Sequence, residues 1–265
     1  MQHRVNDSPD PVNSALPYLS QFCKKNMTQE LDNKRIVVAG ASSGIGRALV
    51  KLLATGSAQV TAIGRDPQKL KTLREEVPAV RTVSLDARDR PALDNFFRQE
   101  GEGSIDHLVL ALSGAKGGRA FRDLSLADLH EGFDNKFWPQ LEALQAGLSS
   151  MRPNGSITLI TAVSATAAMP GTSGLAAING ALEIMVPILA KELKPLRVNA
   201  VSPGIIDTPW WDFLPPAARQ QVFTDFSAQV GVGRVGQPEE VAATVRFILE
   251  TEYINGVIIG CHGGL

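Results

Sequence analysis

A glycine-rich turn set between a β-branched run and a helical pattern constrains this chain more than any other feature. Ile36-Val37-Val38-Ala39 leads into Gly40-Ala41-Ser42-Ser43-Gly44-Ile45-Gly46, a Gly-x-x-x-Gly-x-Gly spacing. Glycines let the main chain approach a pyrophosphate closely. A helix that follows supplies free N–H groups and the positive end of its dipole. Placed between a strand and a helix at the start of an alternating segment, the turn predicts a dinucleotide cradle.

The alternation runs to the end of the chain. Short apolar runs predict strands at Ile36–Ala39, Gln59–Ile63, Val80–Leu85, Asp106–Ala111, Ser156–Ile160, Leu196–Val201 and Gly256–Ile259. They are apolar nearly throughout, as strands covered on both faces are. Helical periods fill Gly46–Ala54, Pro67–Glu76, Arg90–Gln99, Ala127–Ser150, Gly174–Leu193 and Pro238–Glu250. Ser125 with Asp128, and Pro238-Glu239-Glu240, carry helix-start chemistry. Such a pattern predicts an α/β fold: a Rossmann-type doubly wound parallel sheet of about seven strands flanked by helices, in one domain over 34–265.

Composition sets the exclusions. A chain of 265 residues with 44% hydrophobic content can bury one sizeable core. A net charge of -1 offers no broad positive field for nucleic acid or an anionic membrane. No uninterrupted apolar run reaches the roughly 18 residues of a membrane span. Cys23 and Cys261 lie far apart, which argues against a disulfide framework and for a reducing, cytoplasmic compartment. The four histidines are scattered and show no metal-ligand spacing. Residues 1–33 hold three prolines and mixed charge without the basic-then-apolar order of a secretory leader, and are expected to form an N-terminal arm.

The Gly40–Gly46 turn resembles the signature of the short-chain dehydrogenase/reductase family, with Ala39 in place of its threonine. The resemblance continues through Ser84-Leu85-Asp86, Arg197–Thr208, Gly233–Ala242 and the closing His262-Gly263-Gly264. It implies a nicotinamide cofactor held by Gly40, Ser42, Ser43, Gly44, Ile45 and Gly46, by Asp86 at the adenine, by Ser113 and Gly114, and by Pro203, Gly204, Ile206 and Thr208 along the nicotinamide. Gly64 stands where NAD-preferring members carry aspartate, and Arg65 follows it. A guanidinium suits a 2′-phosphate in shape and charge, so the expected cofactor is NADP(H).

The family's usual chemistry needs a Tyr-x-x-x-Lys pair. This chain has two tyrosines, Tyr18 and Tyr253, and neither is followed four residues later by lysine. Laid on the family spacing, Ala162 falls at the catalytic serine, Leu175 at the tyrosine and Asn179 at the lysine. The family's structural asparagine falls at Lys136 or, one residue earlier, at Asn135. Leu175 has no proton to donate, and losing a general acid costs about 10²–10⁴-fold. Asn179 remains able to hydrogen-bond the cofactor ribose. Lys136, Ser164 and Asn179 are the candidate catalytic groups. Thr161 should face away from the pocket if Ala162 faces in, since strand side chains alternate.

Pro209-Trp210-Trp211-Asp212-Phe213 lies in the segment 207–230 that forms a substrate lid in the family. With Phe137, Trp138, Met169 and Leu175, Trp210 and Trp211 predict an aromatic-rich cavity for a bulky hydrophobic small molecule. The leading expectation is an NADPH-dependent oxidoreductase that passes hydride to an iminium, carbonyl or conjugated acceptor, in secondary metabolism. A non-redox cyclase or isomerase, and an inactive NADP(H)-binding protein, stay open. The resemblance also implies a homodimer or homotetramer.

Overall fold

The alternating runs assemble into one seven-stranded sheet. A computed structural model describes residues 31–265, so nearly all of the expected arm 1–33 lies outside the described residues. The strands are β1 (Arg35–Ala39), β2 (Gln59–Gly64), β3 (Arg81–Ser84), β4 (Ile105–Leu110), β5 (Met151–Ile160), β6 (Arg197–Pro203) and β7 (Ile258–Cys261). Their order is β3-β2-β1-β4-β5-β6-β7, and every named pairing is parallel. The chain therefore leaves β1 toward one edge and returns beside it at β4. Ligands of open parallel sheets bind at this reversal, beyond the carboxyl ends of the strands.

Strand alternation feeds two cores, one per face. Ile36, Val38, Val60, Ala62 and Val109 pack under α1 (Gly44–Leu53) and α8 (Pro238–Glu250). Val37, Ala39, Ile63, Leu108 and Leu110 pack under α3 (Arg90–Glu100), α5 (Trp138–Gly147) and α6 (Ser173–Glu192). Each fully buried Leu or Ile contributes about 1.5–3 kcal/mol relative to exposure. The edge strands β3 and β7 hold only exposed and half-buried residues, whereas β4 and β6 are buried throughout.

Helix starts follow their capping chemistry. α2 (Pro67–Glu76) opens on Asp66, whose carboxylate accepts from the Gln68 and Lys69 N–H groups at 2.9 and 3.1 Å. Asp89 does the same for α3 through Ala92 at 3.0 Å. At α8 the Glu240 carboxylate accepts from the Gln237 N–H at 2.8 Å, closing a capping box.

Three departures from the expected elements matter. The single helix expected over Ala127–Ser150 is divided into α4 (Leu126–Gly132), a π-helical turn (Phe133–Phe137), α5 and a short 3₁₀ turn. A π turn carries an extra residue per turn and changes which side chains face inward. The lid segment contains a helix, α7 (Pro216–Gln229), that no periodic apolar face announces. Finally, α6 is long and apolar enough by length and composition to cross a membrane, although Asn179 and Glu183 interrupt its apolar run. Here it packs on the sheet and carries Asn179 and Glu183.

Candidate active site

One cavity of about 790 Å³ opens beyond the carboxyl ends of the strands and runs from the β1–α1 turn to the lid. At its cofactor end Gly40 has φ +85°, and a Cβ there would lie 2.4 Å from the Ala111 oxygen. Only glycine fits that crossing of β1 and β4. Ser43 caps α1 in an extended conformation but makes no side-chain cap bond, so the first N–H groups of α1 stay available to an anion. Gly46 does not line the cavity: it lies beneath the turn, where a Cβ would fall 2.3 Å from the Gly40 oxygen. Its role is to let α1 pack, a correction to its assignment as a contact residue.

The tip of β2 carries glycine and arginine where an acidic side chain would sit for NAD. A Cβ on Gly64 would lie 2.9 Å from Ser42 Cβ, so an aspartate there would have to displace Ser42. Arg65 is exposed and lines the cavity together with Lys69 and Arg88, two cations the sequence reasoning missed. Lys69 sits one helical turn beyond Arg65, a spacing that could have been noticed. Arg88 grips Asp86 through Nη2 at 2.6 Å and Nε at 3.1 Å, and reaches Asn135 Oδ1 at 3.3 Å. Those guanidinium hydrogen bonds hold the Asp86 carboxyl below the usual carboxylate range, against partial burial.

The other end is built from β5, α6, the π turn and the lid. Lys136, Ser164, Asn179, Ala162, Met169, Leu175, Trp210 and Trp211 all line the same cavity. Ala162 and Leu175, at the serine and tyrosine positions, are half-buried beside it. Tyr253 is fully exposed and outside it. The π turn brings both Asn135 and Lys136 to the cavity, and Lys136 is the one that goes inward, 7% exposed. Its Nζ donates to the Thr161 main-chain oxygen at 3.0 Å. Burial pushes the Lys136 ammonium down to about 8, with Glu183 opposing the shift. One of its three N–H donors is thus engaged by a described residue.

Thr161 lines the cavity, and its side chain is engaged by Glu183 and Val201. Its hydroxyl donates to Glu183 Oε1 at 2.7 Å, and Ser202 Oγ donates to the same oxygen at 2.9 Å. Gln140, also unanticipated, bridges the tips of β4 and β5 by donating to the Leu112 and Ile160 oxygens, both at 3.2 Å. Phe137 and Trp138 do not reach the cavity. Phe137 packs in the core and stacks edge-on with Phe133 and Trp138, while Trp138 is 52% exposed. The π turn ends at Phe137 and leaves both rings on the outer side.

Two tryptophans tie the 209–213 segment to its neighbours. Trp210 Nε1 donates to the Gly114 oxygen at 3.0 Å, and Trp211 Nε1 to the Ile206 oxygen at 3.0 Å. Trp210, Trp211 and Phe213 form an aromatic cluster with centroids 4.7–6.2 Å apart. Arg219 ties α7 to Asp207 and Asp212. Away from the cavity, burial and the nearby Arg197 push His107 down to about 4, and its Nδ1 lies 2.8 Å from Ser156 Oγ, a packing role. Among the described residues no group of His, Cys, Asp and Glu could hold a metal ion.

The chain is similar in sequence and fold to known proteins. A family model described as enoyl-(acyl carrier protein) reductase matches residues 40–265. The chain is 31% identical over 252 residues to the 3-oxoacyl-[acyl-carrier-protein] reductase FabG of Thermotoga maritima, covering 89% of this chain and 98% of that one. It is similar to a small-chain dehydrogenase crystallised in complex with NADPH, at 28% identity and a TM-score of 0.75, covering 88% and 98% of the two chains. It shares its fold with the MalC reductase/Diels-Alderase of Malbranchea aurantiaca at 23% identity and a TM-score of 0.81, covering 91% and 98%. With a family model matched over residues 40–265 and a relative 31% identical across nearly its whole length, the chain belongs to the short-chain dehydrogenase/reductase family.

Proposed function

We propose that this protein is an NADPH-dependent oxidoreductase that reduces a bulky hydrophobic small molecule without a tyrosine acid. The observation that carries the proposal is one continuous cavity whose cofactor end is complete and whose reaction end holds Leu175, Asn179 and a buried Lys136. Bound NADP(H) would supply the hydride. The Gly40–Ile45 turn would hold its pyrophosphate, Arg65 and Lys69 its 2′-phosphate, Asp86 its adenine, and Asn179 with the 203–208 segment its nicotinamide nucleoside. The room denied to an acidic side chain at Gly64 favours NADP(H) over NAD(H).

Within the reaction end, Trp210, Trp211, Leu175 and Met169 would surround an apolar substrate and exclude water. Lys136 is the proton source. Its ammonium is the proton-bearing form, present below about pH 8 and lost above it. The exposed Trp138, Ile184 and Ile188 on α5 and α6 support a homodimer or homotetramer. The test is NADPH consumption with a panel of polycyclic ketones, enones and iminium ions. Consumption with at least one class is expected. Tight NADPH binding with no consumption, in a protein that still converts or cyclises a substrate, would overturn the reductase reading in favour of a cyclase or isomerase.

A further inference from the structure

The amide at position 179 has a fixed orientation. Its Nδ2 donates to the Leu175 main-chain oxygen, one turn back, at 2.9 Å and to Ser164 Oγ at 3.1 Å. A main-chain oxygen only accepts, so the atom facing it is the amino group. The other end, Oδ1, is buried without a hydrogen-bond partner among the described residues, on a side chain only 2% exposed.

The consequence falls on Ser164. A hydroxyl carries one proton and two lone pairs. The Asn179 N–H occupies an acceptor site on Ser164 Oγ, and no described residue accepts the Ser164 proton. Ser164 is buried and lines the cavity with Leu175 and Lys136. It is held on a 3₁₀ turn, Val163–Ala165, that follows β5. The Ala165 and Thr166 N–H groups close that turn onto the Ala162 and Val163 oxygens, both at 3.0 Å. A hydroxyl whose acceptor side is engaged by an amide and whose proton is free turns that proton toward the cavity.

We propose that Ser164 donates a hydrogen bond to a substrate oxygen on which negative charge develops, with Asn179 as its positioning residue. This rests on the reductase reading and deepens it. It selects an oxygen-bearing acceptor, a ketone, quinone or enone, over an iminium ion, which has no oxygen to receive the bond. As the acceptor carbon gains hydride, the C–O π pair moves onto oxygen. That oxygen accepts the Ser164 hydrogen bond and then a proton from the Lys136 ammonium. Two electrons and one hydrogen enter with the hydride, and one proton completes the alcohol.

The test uses the full chain and phenanthrenequinone, a flat polycyclic dione. Infrared difference spectra of the dione bound to the NADP⁺-loaded protein report its carbonyl stretch without turnover. A shift to lower frequency is expected in the parent, lost in Ser164→Ala, largely restored in Ser164→Thr and weakened in Asn179→Ala. With NADPH present, Ser164→Ala should lower kcat about 10²-fold with little change in KM, as for loss of one oxyanion donor. An identical carbonyl band in parent and Ser164→Ala, or no dione bound to either, overturns the assignment of Ser164. A shifted band without any NADPH consumption overturns the reductase reading and leaves the Ser164 hydrogen bond standing.

Discussion

At the tips of β1 and β2, close main-chain packing meets a group of cations. Gly40 leaves no room for a Cβ beside Ala111, Gly64 leaves none beside Ser42, and Arg65, Lys69 and Arg88 ring the outer end. At the tips of β5 and β6 the same cavity is lined by Met169, Leu175, Trp210 and Trp211, and three of its buried polar groups are incompletely partnered among the described residues: the Lys136 ammonium, the Ser164 hydroxyl and the Asn179 Oδ1. The contrast separates two jobs. Holding a dinucleotide requires close main-chain approach, which at Gly40 only glycine allows. The reaction end requires hydride access and a proton source, and those tolerate different residues.

The comparison breaks first at Gly40. Gly40→Val forces a branched residue to φ +85° and drives its Cβ into the Ala111 oxygen. The backbone term alone costs about 1–3 kcal/mol, so a lower melting temperature and the abolition of measurable NADPH binding are expected. Arg65→Ala sharpens the cofactor end. Losing a charge-assisted bond of roughly 1.5–3 kcal/mol should weaken NADPH binding by about ten- to a hundredfold while leaving NADH unchanged in a titration of both. Equal affinity of the parent for the two cofactors would remove the argument from Gly64 and Arg65.

Lys136→Met addresses the other end through pH. The folded protein holds this lysine near 8, below its ordinary 10.5, so the unfolded chain binds the extra proton between those values. Stability therefore rises with pH across that window in the parent, and Lys136→Met should flatten the rise in denaturant midpoints. Turnover that draws on the ammonium should fall in the parent as pH passes about 8, and the variant should show a low, pH-independent rate.

How far these regions were legible differs in the same way. The cradle could be read from residues adjacent in sequence, because Gly40, Ser43 and Gly44 do their work within one turn, and Asp66, Asp89 and Ser125 cap the helices they precede. Chamber residues come from β5, α6, the π turn and the lid, and their roles depend on register. The π turn over Phe133–Phe137 is silent in a pattern of apolar spacing, yet it sends Lys136 inward and leaves Phe137 and Trp138 outside. Gln140 across two strand tips and Trp210 on Gly114 are tertiary contacts with no local signature.

The central claim is that a competent cofactor site serves a chamber that lacks the tyrosine–lysine acid. Leu175→Tyr combined with Asn179→Lys supplies that acid at the two positions facing the cavity. The decisive measurement is steady-state reduction of a simple aryl ketone with NADPH by this double variant, beside the NADPH dissociation constant. The account predicts a kcat gain of about 10²–10⁴-fold over the parent with cofactor affinity changed by no more than a few fold. A folded double variant that binds NADPH as the parent does and gains no ketone reductase activity would contradict it.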